Sequence, residues 1–267
     1  MDQSVFRHLH GPQCGIACSS CNLREICLPS GLTRVELEYI DRRLVSSRRK
    51  VARGAALFRT GDPFQALYAV WTGQFKTCLT SQAGREQVTG FHLSGELVGL
   101  DGMDTRRHQV DAVALEDSQV CVLLYEEFEA LTREVASLQQ RFNQLVSREL
   151  VGHQGVMLML GSMYADERMA AFLLNLAHRL DARGFSPTAV TLRMTREEIA
   201  SFLGLSIETI SRTFSKFQAR GLLFVHNRQI RITDPLGMRH ILDGDADLTD
   251  RKLRPIAGPD ISESPET

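Results

Sequence analysis

The sequence predicts an α+β chain in which an N-terminal antiparallel β-roll precedes a long helix and a C-terminal winged helix-turn-helix. Three patterns support this prediction. Residues 50–125 alternate short apolar runs with glycines, which is typical of antiparallel strands joined by turns. Residues 126–163 have helical periodicity. Residues 195–232 contain two helical patterns separated by a glycine, followed by a hairpin pattern.

Composition places the chain among soluble proteins large enough for two domains. Its 267 residues are 43% hydrophobic and 24% charged, which allows a substantial core. No apolar run approaches the roughly 20 residues that a membrane helix needs. Residues 1–10 lack the apolar centre of a signal peptide. We therefore expect a cytoplasmic protein with no membrane partner.

The net charge of -1 conceals an uneven distribution. Residues 190–240 contain eight Arg and Lys against four Asp and Glu, whereas the tail from Asp243 contains seven acidic residues against three basic ones. The basic segment suits an anionic partner. The acidic tail, residues 243–267, also contains three prolines and is expected to be disordered.

Cysteine is concentrated near the N-terminus, where four of six cysteines lie within fourteen residues: Cys14, Cys18, Cys21 and Cys27. Disulfides need an oxidising compartment, which the N-terminus does not indicate. A structural zinc site usually draws on two close pairs of ligands with a longer spacer. An iron-sulfur cluster takes thiolates from a short loop and one distant cysteine, and Cys121 is available for that role. Spacing alone leaves both metal centres open.

The long helix carries an apolar stripe at alternating spacings of four and three residues: Val146, Leu150, His153, Met157 and Leu160. This spacing is typical of a coiled-coil seam. A long helix that projects from a compact roll is expected to pair with a copy of itself, which predicts a homodimer. A helix that packs only on its own domain stays as an alternative. His153 interrupts the stripe and is interpreted as a histidine that the seam tolerates, with a pH-sensitive switch of pairing as the alternative.

The C-terminal pattern begins with a capping box at Thr195 and Glu198. Gly204 permits a sharp turn, and Ser206 can cap a second helix at 207–219. The hairpin pattern that follows makes the domain winged. No internal repeat, Ser/His/Asp constellation, paired carboxylates or Gly-rich phosphate loop is evident in the sequence, so an enzyme is not expected.

The exposed face of this second helix suits the major groove of DNA. Arginine can donate twice to guanine, and glutamate can accept from cytosine, so Glu208 and Arg212 are candidates for base readout. Ser211 lies on the same face. Thr209 and Lys216 are better placed to contact the phosphate backbone, which orients a protein without specifying sequence. A solvated face, or a protein-binding winged helix, stays as an alternative.

Taken together, the patterns predict five segments: a cysteine-rich arm at 1–30 that is a candidate for either metal centre, a β-roll domain at 31–125, a dimerisation helix at 126–163, a DNA-binding winged helix-turn-helix at 164–242, and the tail at 243–267. The resemblance described next implies that the arm binds a cluster and that the roll is the sensor domain.

The cysteine run, the roll, the long helix and residues 208–212 together resemble the CRP/FNR superfamily, and specifically the oxygen-responsive FNR regulators. The resemblance extends over residues 14–240 and implies a β-roll of the cyclic-nucleotide-binding type. Its most specific motif is Cys18-x2-Cys21-x5-Cys27 with a distant Cys121. Further motifs that carry it are Gly95-Glu96-Leu97-Val98-Gly99, Ala165 to Phe172, and Gly184 to Pro187.

The resemblance implies that four cysteines ligate an oxygen-labile 4Fe-4S cluster: Cys18, Cys21, Cys27 and Cys121. Cys14 then corresponds to an additional cysteine that is not a ligand. Because Cys121 lies just before the long helix, loss of the cluster is expected to loosen the arm from the base of the dimer seam. Oxygen would thereby control dimerisation and, through it, operator binding.

For DNA, the resemblance implies that Glu208, Ser211 and Arg212 read each half of a palindrome of the TTGAT...ATCAA type. Two half-sites one helical turn apart, ~34 Å, match a twofold dimer. The turn near Gly84 and Arg85 is where such regulators contact RNA polymerase.

The sequence departs from the nucleotide-binding members, which hold a cyclic phosphate with an Arg-Ser pair. His108-Gln109 stands at that position. Arg106 and Arg107 lie nearby, so a regulator controlled by a nucleotide or by zinc stays as an alternative. An iron-sulfur redox protein is another, although it leaves the winged helix unexplained.

Overall fold

The computed structural model of the chain describes residues 18–28, 32–81 and 83–243. Two sequence-based expectations, a non-ligand role for Cys14 and a disordered tail beyond Asp243, lie outside the described residues. Nowhere in the described ranges does a helix combine the length and apolar character that a bilayer crossing demands.

Eight strands form the predicted β-roll: β1 (Ser47–Val51), β2 (Ala56–Phe58), β3 (Ala66–Thr72), β4 (Phe75–Thr80), β5 (Glu86–His92), β6 (Leu97–Val98), β7 (Asp111–Ala114) and β8 (Ser118–Leu124). They make two antiparallel sheets, in the orders β1-β8-β3-β6 and β2-β7-β4-β5. Val70, Phe75 and Val120 are fully buried between them. The fold class predicted for this region is confirmed.

Helical segments flank the roll: a 3₁₀ turn at Cys18–Ser20, α1 (Arg24–Cys27), α2 (Arg34–Arg43), α3 (Tyr125–Glu134) and α4 (Ala136–Ser162). The predicted capping box of α2 is present, since the Thr33 hydroxyl accepts from the Glu36 amide at 3.2 Å and the Glu36 carboxylate accepts from the Thr33 amide at 2.8 Å.

The predicted continuous helix at 126–163 is wrong at one point, because the helix is interrupted at Val135. This residue has extended backbone angles, φ -117° and ψ 92°. Its side chain is buried together with Leu131 of α3 and Leu138 of α4. The break therefore lets both helices contribute to one core. The predicted dimer stripe lies entirely within α4.

The C-terminal module contains α5 (Ala165–Asp181), β9 (Ala189–Thr191), α6 (Arg196–Leu203), α7 (Ile207–Ala219), β10 (Leu223–His226), β11 (Gln229–Ile232) and α8 (Pro235–Leu242). The predicted turn is present: Gly204 has a left-handed φ of 61°, and the Ser206 hydroxyl accepts from the Thr209 amide at 3.1 Å. These two residues separate α6 and α7 as the sequence indicates.

Two elements of this module were not predicted. β9 adds a third strand to the wing, in the order β10-β11-β9. α8 follows the wing, and the Asp234 carboxylate caps it by accepting from the Gly237 amide at 2.8 Å. Its sequence signal was Asp234 directly before Pro235, since proline is favoured in the first turn of a helix.

The C-terminal module packs directly against the roll. Phe91 of β5, Phe172 of α5 and Phe202 of α6 form a triangle of rings with centroids 5.2 to 6.0 Å apart. The same core contains Met169 and Leu173 of α5, both fully buried. Aromatic contacts of this kind stabilise beyond simple area burial, so the two parts share one hydrophobic core.

Gly73→Ala should destabilise the roll more than Gly54→Ala. Both glycines have positive φ, 84° and 77°, but a Cβ at Gly73 would lie 2.0 Å from the Ser118 Oγ, whereas Gly54 has open space. We expect a loss of about 2–4 kcal/mol for Gly73→Ala and about 1–2 kcal/mol for Gly54→Ala in urea unfolding. Equal losses would contradict the close approach.

Candidate metal centre and nucleic-acid interface

The predicted cysteine ligands lie around one cavity. It is lined by Cys18 in the 3₁₀ turn, Cys21 in the following loop, Cys27 at the end of α1 and Cys121 on β8. We call this space the cysteine cavity. The space between these side chains, counted together with the open solvent at its mouth, is about 830 Å³. The fold thus brings the distant cysteine to the N-terminal three.

Three contacts fix the loop that carries the N-terminal cysteines. The Ser19 amide donates to the Asp41 carboxylate of α2 at 3.0 Å. The Arg141 guanidinium of α4 donates to the Ile26 carbonyl at 2.6 Å. The Cys27 thiol donates to the Gly95 carbonyl at 3.7 Å. Helices α2 and α4 and the roll therefore hold the loop together, and none of these contacts was apparent from sequence.

Gly95 permits the loop to approach the roll closely. Its φ is 87°, and a Cβ at this position would lie 2.8 Å from the Ile26 Cγ2. A real Cβ contact is essentially never that short. The motif glycine is therefore required both by its backbone conformation and by the space that Ile26 occupies.

Cations border an otherwise apolar cavity. Arg24, Arg48 and Arg141 line it together with side chains such as Leu123. The Arg48 guanidinium lies 3.6 Å above the Trp71 ring, an arrangement that fixes its position. Positive charge near cysteine favours the thiolate, which is the form that binds metal.

Burial raises the pKa of the Cys18 and Cys27 thiols to about 12. Neighbouring thiols raise both values further, and for Cys27 they are opposed by Arg141 and Arg183. These mutual effects show that the sulfurs are electrostatic neighbours. Without a bound cation the thiols stay protonated, so metal binding must displace their protons.

The donor chemistry of the cavity fits an iron-sulfur cluster. In the described part of the chain, no three His, Cys, Asp or Glu side chains are placed to hold a single metal ion. Four sulfurs around an apolar space nevertheless match the thiolate ligation of such clusters. Cys78 is separate from this set, since it is buried on β4 as predicted for a small core residue.

The residues predicted to stand at the phosphate position of nucleotide-binding members contact other parts of the roll. His108 is buried and stacks on Phe58 with a centroid distance of 3.5 Å. The Gln109 amide donates to the Asp101 carboxylate at 2.6 Å. Arg107 donates to the Gly61 carbonyl at 2.7 Å. These groups are therefore committed to contacts within the roll.

The proposed reading face of α7 is exposed at Glu208 and Arg212. Hydrogen bonds from its own amide and from Ser206 lower the pKa of Glu208, and Arg212 adds to this effect, so the carboxylate is ionised at neutral pH. Ser211 is partly buried, and its hydroxyl accepts from the Arg196 guanidinium at 3.0 Å. Sequence reasoning did not predict that Arg196, the first residue of α6, would bond to Ser211.

The two predicted backbone contacts have partners within the protein. The Thr209 amide and hydroxyl both bond to Ser206, at 3.1 Å each. The Lys216 ammonium lies 2.6 Å from the Asp166 carboxylate of α5. Lys216 thus ties α7 to α5, and a contact to phosphate stays a prediction for both residues.

The predicted seam of α4 is largely exposed. Leu150 is 60% exposed and Met157 66%, and Val146 and His153 are exposed as well. Leu160 differs, because it packs against the core of the C-terminal module and lies 3.3 Å from the position of a Cβ at Gly204. The stripe from 146 to 157 is the part available to a second copy.

Comparisons with known proteins agree with this architecture. Residues 48–134 match the family described as "Cyclic nucleotide-binding domain", and residues 167–241 match "Crp-like helix-turn-helix domain". The solved structure of FixK2 from Bradyrhizobium japonicum is similar with a TM-score of 0.68 and 27% identity, covering 73% of this chain and 96% of that one.

Similar sequences include three named regulators. "Transcriptional regulatory protein btr" of Bordetella pertussis is 45% identical, with 84% of this chain and 93% of that protein covered. "Transcriptional activator protein anr" of Pseudomonas aeruginosa is 42% identical, with 85% of this chain and 93% of that protein covered. "Fumarate and nitrate reduction regulatory protein" of Escherichia coli is 38% identical, with 86% and 92% covered.

Cys27 should react slowly with iodoacetamide in metal-free folded protein. Burial raises its pKa to about 12, and only the thiolate reacts, so at pH 8 we expect alkylation at least ~100-fold slower than in denaturant. The rate should rise with pH as the thiol deprotonates. Mass spectrometry of Cys27 peptides, with the reaction run under anaerobic conditions, measures the alkylation rate. Equal rates in the folded and unfolded chains would contradict the conclusion that burial protects the thiol.

Proposed function

Because the chain belongs to the CRP/FNR family of transcriptional regulators, we propose that it is an oxygen- or redox-responsive member that binds a 4Fe-4S cluster. In that state it forms a homodimer and binds a palindromic operator to control anaerobic genes. The observation that carries this proposal is the cysteine cavity, where Cys121 of β8 meets three cysteines of the N-terminal loop.

The cavity cysteines would hold the cluster from two parts of the chain, the N-terminal loop and β8. When bound, the cluster supplies redox-labile iron-sulfide chemistry at this place. Cys18, Cys21 and Cys27 then fix the loop, and Cys121 fixes it to β8, which leads directly into α3. Arg141 of α4 already donates to the loop at Ile26. Ligation thus restrains the loop at the start of the helix that carries the dimer stripe.

Dimerisation links the cavity to DNA. The exposed apolar stripe of α4 supports pairing with a second copy, because apolar side chains gain free energy when removed from water. A dimer presents two α7 helices and gains the combined contacts of two half-sites. A bias of ~1.4 kcal/mol in favour of pairing changes the monomer-dimer ratio tenfold.

The remaining assignments concern the partners. Glu208, Ser211 and Arg212 lie on one side of α7 and would read base edges of double-stranded DNA. The exposed turn between β4 and β5, which includes Gly84 and Arg85, would contact RNA polymerase.

Cys121→Ser should abolish both the brown chromophore and tight operator binding. The control is Cys78→Ala, because Cys78 is buried outside the cysteine cavity and its loss leaves all four ligands. Anaerobic protein is analysed for absorbance, iron and sulfide, and then titrated with air while dimer content and operator binding are followed. Colourless, iron-poor wild-type protein that still binds its operator as a dimer would refute the proposal.

Arg212→Ala should relax sequence preference at one base pair. Loss of a bidentate contact to guanine costs about 1–3 kcal/mol of discrimination. Arg220→Ala is the charge-matched control, because Arg220 lies just beyond the end of α7 and should affect operator and unrelated DNA alike. Competition between operator and unrelated DNA for the anaerobic protein measures the discrimination of both variants. Unchanged discrimination in Arg212→Ala would remove Arg212 from the reading set.

A further inference from the structure

Glu96 joins the roll to the DNA-binding module through Arg179, in the last turn of α5, and Arg183, two residues beyond its end. It lies in the turn between β5 and β6, directly after Gly95. Its carboxylate accepts from Arg179 at 2.5 Å and 3.1 Å, and from Arg183 at 2.6 Å. Arg179 also donates to the Phe91 carbonyl at 2.6 Å. One carboxylate thus holds the C-terminal end of α5 and the turn that follows it.

The network is largely removed from solvent. The Glu96 side chain is 18% exposed and that of Arg183 only 6%. Burial by itself raises the pKa of Glu96, but the charge and hydrogen bonds of Arg179 and Arg183 outweigh it and hold the pKa below its usual value. The carboxylate is therefore ionised, and its removal would leave buried positive charge without compensation.

The same turn touches the cysteine cavity. Gly95 accepts from the Cys27 thiol and packs against Ile26, as described above. Arg183 donates to the Ser94 carbonyl of the same turn at 2.5 Å, as well as to Glu96. Cys27, Gly95, Glu96 and α5 are therefore consecutive members of one contact series.

Helix α5 in turn sets the position of the reading helix. Asp166, near its start, binds Lys216 of α7 at 2.6 Å. The hydroxyl of the buried Thr213 in α7 also bonds to Asp166, at 3.5 Å. A displacement of α5 would therefore be transmitted to α7.

Other bridges between the roll and this module lie away from the cavity. Arg193 binds Glu116 at 3.1 Å, and Lys76 binds Glu198 at 3.2 Å. None of these four residues is among those that line the cysteine cavity. They hold the two parts together, but they have no contact with the ligand loop in the part of the chain described.

We infer that Glu96 is the positioning residue through which the state of the cysteine cavity reaches the DNA-binding module. The inference rests on the proposed cluster. Ligation of Cys27 would fix Ile26 against Gly95 and thereby fix the Glu96 carboxylate between Arg179 and Arg183. Release of Cys27 would free the turn and loosen α5. Coupling of this kind requires one element that both sites bias, and the β5-β6 turn is that element.

The test compares Glu96→Gln with Glu116→Gln. Glutamine keeps the size of the side chain and removes its charge, and Glu116 provides a matched bridge that does not touch the cavity. Each anaerobic protein is analysed for iron and sulfide, and its operator affinity is measured before and after air destroys the cluster. The affinity ratio between the two states is the coupling.

We expect Glu96→Gln to bind iron as the wild type does and to lower the affinity ratio at least tenfold, whereas Glu116→Gln keeps the wild-type ratio. A residue that only stabilised the fold would weaken binding in both states and leave the ratio unchanged. Arg183→Gln breaks the same network from the other side and replaces Glu96→Gln if that variant does not fold by circular dichroism.

Hydrogen exchange of the anaerobic, iron-loaded protein gives a second readout, because the link through Glu96 is intact in that state. Glu96→Gln should speed exchange in α5 and in residues 18–28 together, and Glu116→Gln should not affect the loop. An iron-loaded variant with the wild-type ratio, or unchanged exchange in the loop, would overturn the inference. Iron-free wild-type protein would instead refute the proposed function, so the two failures are distinguishable.

Discussion

The contact between the cysteine loop and the β5-β6 turn is the constraint on which the rest of the site depends. It exists because Gly95 has no Cβ and adopts a positive φ, so Ile26 can lie directly against it. That approach brings Cys27 to the wall formed by the roll, while strand pairing places Cys121 on β8 opposite Ala69. Together with the contacts of Asp41 and Arg141, it gives the N-terminal sulfurs a defined relation to the distant one.

Charged side chains surround the cysteine cavity, where little solvent screens them. The thiols are buried and prefer to stay protonated, yet Arg141 and Arg183 lie close enough to oppose that preference at Cys27. Arg183 is itself compensated by Glu96. A metal centre bound here would therefore sit within a set of charges that extends from α4 to α5, and any change in its charge would be felt by both helices.

Local caps define the helices of the DNA-binding module, and a hydrophobic core shared with the roll fixes its position. Thr195, Gly204 and Ser206 define the ends of α6 and α7 by capping and by one left-handed residue. Ile210, Phe214 and Phe217 are buried in the module, which leaves Glu208 and Arg212 outside. The rings of Phe91, Phe172 and Phe202 then place this module against the roll.

The sequence by itself determined the fold class, the helix caps, the glycine turn and the α7 face, because each follows from contacts within a few residues. The sequence also offered Cys121 as a candidate distant ligand, and the family resemblance placed it in the predicted set of four. Only the tertiary structure decided that the helix stops at Val135, that Leu160 packs on its own module, and that Lys216 binds Asp166. Glu96, Arg179 and Arg183 likewise meet only through folding, since a salt bridge between distant segments has no periodic signal. Such contacts depend on how helices and strands pack together, and a local sequence pattern carries no information about that packing.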